Sequence, residues 1–163
     1  MKINRLSILF LALAVACGSA EEKSSSEAKT EDVAVEVPAV AEIVIEGNDQ
    51  MKYNLERIDV RAGQKVKLTL RHVGQLPLES MGHNWVLLKQ GTDVTEFATA
   101  AINFKDNEYV DPSKEDQVIA RTKMIGGGEE TTIEFEAPAK GIYDFICTFP
   151  GHYGMMKGKF VVL

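Results

Sequence analysis

The sequence predicts an all-β fold, a Greek-key β-sandwich with one inserted short helix. Three observations carry that expectation. From Glu42 onward the chain is a succession of short segments rich in β-branched and aromatic residues, several of them alternating apolar and polar with period two. Gly, Pro, Asn or Asp punctuates those segments, and only one stretch shows the three-to-four spacing of an amphipathic helix. Many short strands around a single helix fit two stacked antiparallel sheets better than any helical or alternating α/β layering.

Seven strands follow in order: Glu42 to Ile45, Lys52 to Val60, Lys65 to Arg71, Asn84 to Lys89, Thr131 to Glu136, Ile142 to Cys147 and Lys159 to Leu163. Turns are expected at Arg61 to Gly63, at Gly126 to Gly128 and at Ala137 to Gly141, where Gly and Pro interrupt the apolar pattern. The helix is expected over Asp93 to Phe104, because Val94, Phe97, Ala98, Ala101 and Ile102 fall on one face.

The 163 residues divide into three parts. Residues 1–17 read as a secretory signal: Lys2 and Arg5 precede an apolar run, Leu6 to Ala16, too brief to span a bilayer. Ala14-Val15-Ala16-Cys17 resembles the lipobox of bacterial lipoproteins, whose Cys is acylated, although a Leu is more usual where Ala14 stands. A plain cleaved signal is the other reading of the same residues. Residues 18–41 hold six acids, two Lys and no aromatic residue, so they cannot bury enough apolar surface to offset their ordering entropy. They read as a disordered acidic tether, able to reach about 80 Å when extended. An acylated Cys17 would then hold residues 42–163 near a membrane, on the periplasmic side, with multiple acyl chains giving a stable anchor.

Of the formal charge of −6, the signal carries +2 and the tether −4, which leaves −4 on residues 42–163. Mild acidity argues against nucleic acid as a partner, since that calls for a basic patch. Proteins and small redox molecules remain.

The chemistry-bearing residues cluster in two places. Cys147, His152 and Met156 lie within ten residues, and His83 sits upstream in Met81-Gly82-His83-Asn84-Trp85. Two imidazoles, one thiolate and one weak thioether are the ligand set of a blue-copper electron-transfer site. Taken singly, each has a plainer explanation: Cys147 as a small buried hydrophobe, His83 and His152 as surface or core histidines, Met156 as packing. Cys147 is also an odd thiol in an exported chain if Cys17 is acylated, and metal ligation would account for it.

These blocks, with Gly47 to Met51 and with His72 eleven residues before His83, resemble the azurins of the cupredoxin family from about residue 42 to the C-terminus. Four residues between Cys147 and His152, and three between His152 and Met156, match the azurin ligand loop rather than the plastocyanin one. The resemblance implies a type 1 copper ion bound by His83, Cys147 and His152, with Met156 weakly axial and the Gly82 carbonyl approaching from the opposite side. Met155 competes for the axial role. It also implies that Asn84 ties the ligand loop to its neighbour through Thr148, and that the Phe149 N–H donates to the thiolate. Pro150, lacking an N–H, offers no competing donor. His72 corresponds to a histidine near the metal that does not bind it; a core role and a pH-sensing role both stay open.

By the same resemblance, the edge of His152 meets the surface within an apolar docking patch of Met51, Met81, Phe149, Pro150 and Gly151, with Tyr153 and Met155 close in sequence. Strand-end packing would explain the same residues. A small apolar patch suits a transient redox protein donor and acceptor. Trp85, in an apolar strand, reads as core. Two departures stand out: the chain has no Cys for the disulfide usual in azurins, and Tyr153-Gly154 replaces small or aliphatic residues.

The expected function is therefore one-electron transport outside the cytoplasm, without enzymatic activity. Copper capture or delivery is the alternative, through Met51, Met81, Met124, Met155 and Met156, but those methionines are scattered along the chain. A copper enzyme needs a second metal site with its own histidines, and the chain has three in all.

Overall fold

The computed structural model describes residues 38–163. The expected signal, Cys17 and all but the end of the expected tether lie outside the described residues. Nine strands form two sheets: β1 (Val40–Asn48), β2 (Lys52–Tyr53), β3 (Arg57–Val60), β4 (Lys65–His72), β5 (Val86–Leu88), β6 (Val118–Arg121), β7 (Glu130–Glu136), β8 (Gly141–Ile146) and β9 (Lys157–Val162). One sheet runs β2-β1-β4-β7 and the other β3-β9-β8-β5-β6. Pairing is antiparallel except for β1 with β4 and β3 with β9, because the chain passes repeatedly from one sheet to the other. The molecule is an all-β sandwich, as the sequence predicts.

Alternation decides which side chains enter the core. Along β4, Val66, Leu68, Leu70 and His72 are buried while the residues between them face outward. Val66, Leu68 and Leu70 share one core cluster with Trp85 and with Leu87, Phe145, Phe160 and Val162 of the opposite sheet. Trp85 is fully buried, its ring 5.7 Å from that of Phe145 and 6.1 Å from that of Phe160. Each such large side chain contributes about 1.5–3 kcal/mol through burial alone.

The helix α2 (Val94–Ala101) starts where Asp93 accepts a hydrogen bond from the Glu96 N–H at 2.9 Å. Its Phe97 and Ala98 pack with Val86, Leu88, Val110 and Ile146. That layer covers the outer face of β5, which is why β5 is buried on both sides and shows no alternation.

Several elements differ from the sequence expectation. The run Lys52 to Val60 is two strands in different sheets: buried Tyr53 and Ile58 are an odd number of residues apart, so one continuous strand would point them to opposite faces. Asn54 marks the break, its amide oxygen accepting from the Glu46 N–H at 2.8 Å. Strand β6 was not expected; it is a four-residue edge strand, half-buried throughout, with no periodicity to read. A single-turn helix α1 (Leu78–Met81) and 3₁₀ helices at Lys105–Asn107 and Pro112–Gln117 add to the one helix foreseen. Strand β1 takes in Val40 and Ala41, which pair with Lys65 and Val66.

Candidate metal centre

One end of the sandwich gathers the chemistry. His83 follows α1 and is locked by a two-way backbone bridge to Ile125, each N–H···O at 2.9 Å. Cys147 leaves β8, and the loop after it closes on itself. The Cys147 N–H donates to the Met156 carbonyl at 2.9 Å, and the Met156 N–H donates to the His152 carbonyl at 2.8 Å. Gly151 adopts φ 84°, a left-handed turn conformation that suits glycine and brings His152 back toward the sulfur.

One potential ligand atom from each of His83, Cys147 and His152 lies within 4.8 Å of the others, and all three residues are buried. Cys147 Sγ is 3.7 Å from His152 Nδ1 and 3.9 Å from the Gly82 carbonyl oxygen. Met156 is fully buried, and a Cβ placed on Gly47 would touch both the His83 ring and the Met156 methyl. The thioether end therefore lies on the His83 side of the cluster.

Protonation is set by burial. It depresses His83 to about 4, against a favourable contact with the Asn48 carbonyl, and depresses His152 to about 4 with His83 and His72 adding to the effect. Burial also pushes the Cys147 thiol up to about 11, although backbone N–H groups of Asn84 and Phe149 favour the thiolate. At neutral pH the imidazoles are neutral. His83 Nε2 donates to the Asn48 carbonyl at 3.0 Å, which leaves the lone pair on Nδ1. That Nδ1 is buried and has no hydrogen-bond partner among the described residues. An unpartnered buried nitrogen is costly. Facing a thiol and a second imidazole, it fits a soft transition-metal ion.

The surroundings hold this arrangement. Asn84 accepts from the Thr148 N–H at 2.9 Å and donates to Thr148 Oγ1 at 2.8 Å and to the Glu108 carbonyl at 3.1 Å. Glu108 and Tyr109 both adopt left-handed φ, and the Tyr109 ring packs edge-on against Phe149 at 5.3 Å. His72 stacks on His83 at 4.2 Å; its Nδ1 accepts from the Gly74 N–H at 3.1 Å and its Nε2 donates to the Met81 carbonyl at 2.8 Å. Both nitrogens of His72 are thus occupied, and it stands outside the cluster.

At the surface, Gly151 is exposed, Met51, Met81, Pro150 and Tyr153 are half-buried, and Phe149 is buried. Met155 is 54% exposed, whereas His152 keeps only 3% of its surface in contact with water. Met155 therefore projects outward while Met156 points into the cluster.

Within the block Gly47 to Met51 the resemblance gives a role to Met51 alone, at the docking patch, yet its neighbours shape the site. Gly47 leaves the space that His83 and Met156 fill, the Asn48 carbonyl fixes the His83 tautomer, and the Asp49 carboxylate accepts from the Gln75 N–H at 2.8 Å. Tyr53 was missed altogether. Its buried hydroxyl donates to the Asn84 carbonyl, a contact that a period-two apolar pattern does not announce.

A β-sandwich presenting two neutral imidazoles and a cysteine at one end defines a mononuclear metal centre of the cupredoxin class. The sequence profile "Copper binding proteins, plastocyanin/azurin family" matches residues 39–163. The chain belongs to the plastocyanin/azurin family of copper binding proteins.

Among its relatives, outer membrane protein H.8 of Neisseria gonorrhoeae is 42% identical over 119 residues, which are 71% of this chain and 63% of that protein. The chain thus spans less than two thirds of the length of H.8. Azurin of Achromobacter denitrificans is 39% identical over 125 residues, covering 74% of this chain and 83% of the azurin. Among solved structures, auracyanin A, a "blue" copper protein from Chloroflexus aurantiacus, superposes with TM-score 0.70 at 31% identity, covering 76% of this chain and 99% of that one. An azurin (Az-iso2) from Methylomonas sp. strain J gives TM-score 0.67 at 35% identity, covering 76% and 98%.

Proposed function

We propose that this chain is a one-electron carrier whose copper ion is held by His83, Cys147 and His152, with Met156 and the Gly82 carbonyl as weak further donors. When bound, copper supplies the Cu(I)/Cu(II) couple. The observation that carries the reading is the buried, unpartnered Nδ1 of His83, set beside Cys147 and His152. The similarity to azurins and to a blue copper protein supports it.

The residues do the rest. Cys147 gives a thiolate once its proton is lost, and the N–H groups of Asn84 and Phe149 draw charge from the sulfur. Asn84 and Thr148 bind the His83 segment to the ligand loop through two mutual hydrogen bonds, so the donors keep their spacing whatever the charge between them. Burial excludes water from the cluster. A preorganised site of this kind needs little rearrangement during electron exchange.

Met51, Met81, Pro150, Gly151 and the projecting Met155 form the docking patch over His152, where a redox protein donor and acceptor bind transiently. Export delivers the chain outside the cytoplasm, and acylation of Cys17 anchors it at the periplasmic side of a membrane. The membrane location in the name of H.8 supports that placement. A second copper site built on histidine finds none free: with His83 and His152 committed, His72 alone remains, and its nitrogens are already bonded to Gly74 and Met81.

Cys147→Ser tests the reading. The variant is expected to fold, to lose the intense visible thiolate-to-copper absorption and to stop cycling electrons. A serine variant that stayed blue would refute the ligand assignment.

A further inference from the structure

Glu108 and Tyr109 are consecutive residues with φ of 56° each, in the left-handed region that residues bearing side chains seldom enter. Two in a row persist only where the surroundings over-determine them. Both reach toward the ligand segments. The Glu108 carbonyl accepts from Asn84 Nδ2 at 3.1 Å, and the Tyr109 ring lies edge-on to Phe149, two residues after Cys147, at 5.3 Å. The Asn84 amide has two protons and gives one to each of two acceptors, that carbonyl and Thr148 Oγ1.

An arginine holds the left-handed pair in place. Arg121, on β6, directs one guanidinium nitrogen to the Glu108 carboxylate at 3.1 Å and another to the Glu115 carboxylate at 3.0 Å. Glu115 in turn accepts from Asn107 Nδ2 at 3.3 Å, the same nitrogen that donates to the Val110 carbonyl at 2.8 Å. All three charged residues are half-buried, so their pairing is less screened than an open surface contact. Arg121 is itself in register with Val86, two residues after Asn84, and its neighbour Thr122 exchanges hydrogen bonds with the Trp85 backbone at 2.9 and 3.0 Å. The fork thus joins residues 107–115 to the strand that Asn84 leads into.

We infer that Arg121 is a positioning residue of the metal centre: its fork on Glu108 and Glu115 holds the left-handed pair, whose carbonyl fixes the Asn84 amide between the His83 and Cys147 segments. This rests on the electron-carrier reading above. Without the fork, residues 107–115 relax, the Glu108 carbonyl withdraws and one Asn84 proton loses its acceptor. The bridge from Asn84 to Thr148 then opens more often, and a bound ion is released faster. A fork that only stabilised its own loop would alter the thermal midpoint and leave Asn84 and the metal undisturbed.

The test compares Arg121→Lys with wild type in the full-length protein by two rates. One is the exchange of the Asn84 side-chain amide protons with solvent in the metal-free form, followed by NMR; the other is the transfer of copper from the loaded form to excess EDTA. Lysine keeps the positive charge but cannot fork between two carboxylates. Amide exchange is expected to quicken about tenfold through more frequent local opening. Copper transfer is expected to quicken about tenfold as well, the usual scale for losing a group that orients a metal ligand. Glu115→Ala, which removes the far carboxylate, is expected to do the same and decides the matter if the lysine variant does not fold. Either rate at its wild-type value in a folded variant overturns the role of Arg121 while leaving the carrier intact. A wild-type protein that never turns blue fails the carrier reading instead, and amide exchange, read without metal, then decides the brace alone.

Discussion

Cys147, His83 and His152 hold opposite protonation preferences in the metal-free protein, and both come from one cause. Burial favours the neutral form of each, so the histidines sit at about 4 and the thiol at about 11. In the unfolded chain the same groups titrate near 6.5 and 9. Between about 4 and 6.5 the unfolded state binds more protons than the folded one, so stability is lost as pH falls through that window. Between about 9 and 11 the folded state retains the thiol proton, so stability is lost again as pH rises. The thermal midpoint of the metal-free protein is therefore expected to plateau from about pH 6.5 to 9 and to drop on both sides. A midpoint that stays level from pH 6.5 down to 4 would contradict burial as the cause. Metal binding at pH 7 must expel the Cys147 proton but meets imidazoles already neutral, which places the main pH sensitivity of uptake on the sulfur.

Among the elements, the end of β1 does more for the centre than its sequence suggests. Gly47 leaves a gap that the His83 ring and the Met156 methyl fill, with the Cβ of any other residue 2.7 Å from the ring and 3.2 Å from the methyl. Gly47→Ala is expected to push His83 and Met156 apart and weaken copper binding at least tenfold while far-ultraviolet circular dichroism keeps its all-β form. Wild-type affinity in that variant would show that the site relaxes freely. Alternation along Lys65 to Arg71 and the three-to-four spacing of Val94, Phe97, Ala98 and Ala101 made β4 and α2 legible from sequence, since each pattern reports burial directly. The loop from Cys147 to Met156 was legible because its donors lie close together in the chain. Strand β6 was not, since an edge strand of half-buried residues carries no period. The Asn48 carbonyl and the Tyr53 hydroxyl were not either: one is a backbone group any residue supplies, and the other reads as one more core aromatic.

At the scale of the whole molecule, a rigid sandwich carries its donors at one end, while the N-terminal residues 1–37 stand outside the described structure. No helix among the described residues is long and apolar enough to cross a membrane; the anchor proposed above is an acylated Cys17. Cys17→Ser is expected to move the protein from the membrane fraction to the soluble one without changing its colour. Continued sedimentation would discredit the lipid anchor. The central claim is that His83, Cys147 and His152 bind one copper ion and pass one electron through it. Titrating the purified metal-free protein with Cu(II), and following its visible absorption through a reductive and oxidative cycle, tests that claim most directly. The account predicts an intense band saturating at about one copper per chain, bleached by one electron and restored on reoxidation; copper taken up without that band, or lost on reduction, would contradict it.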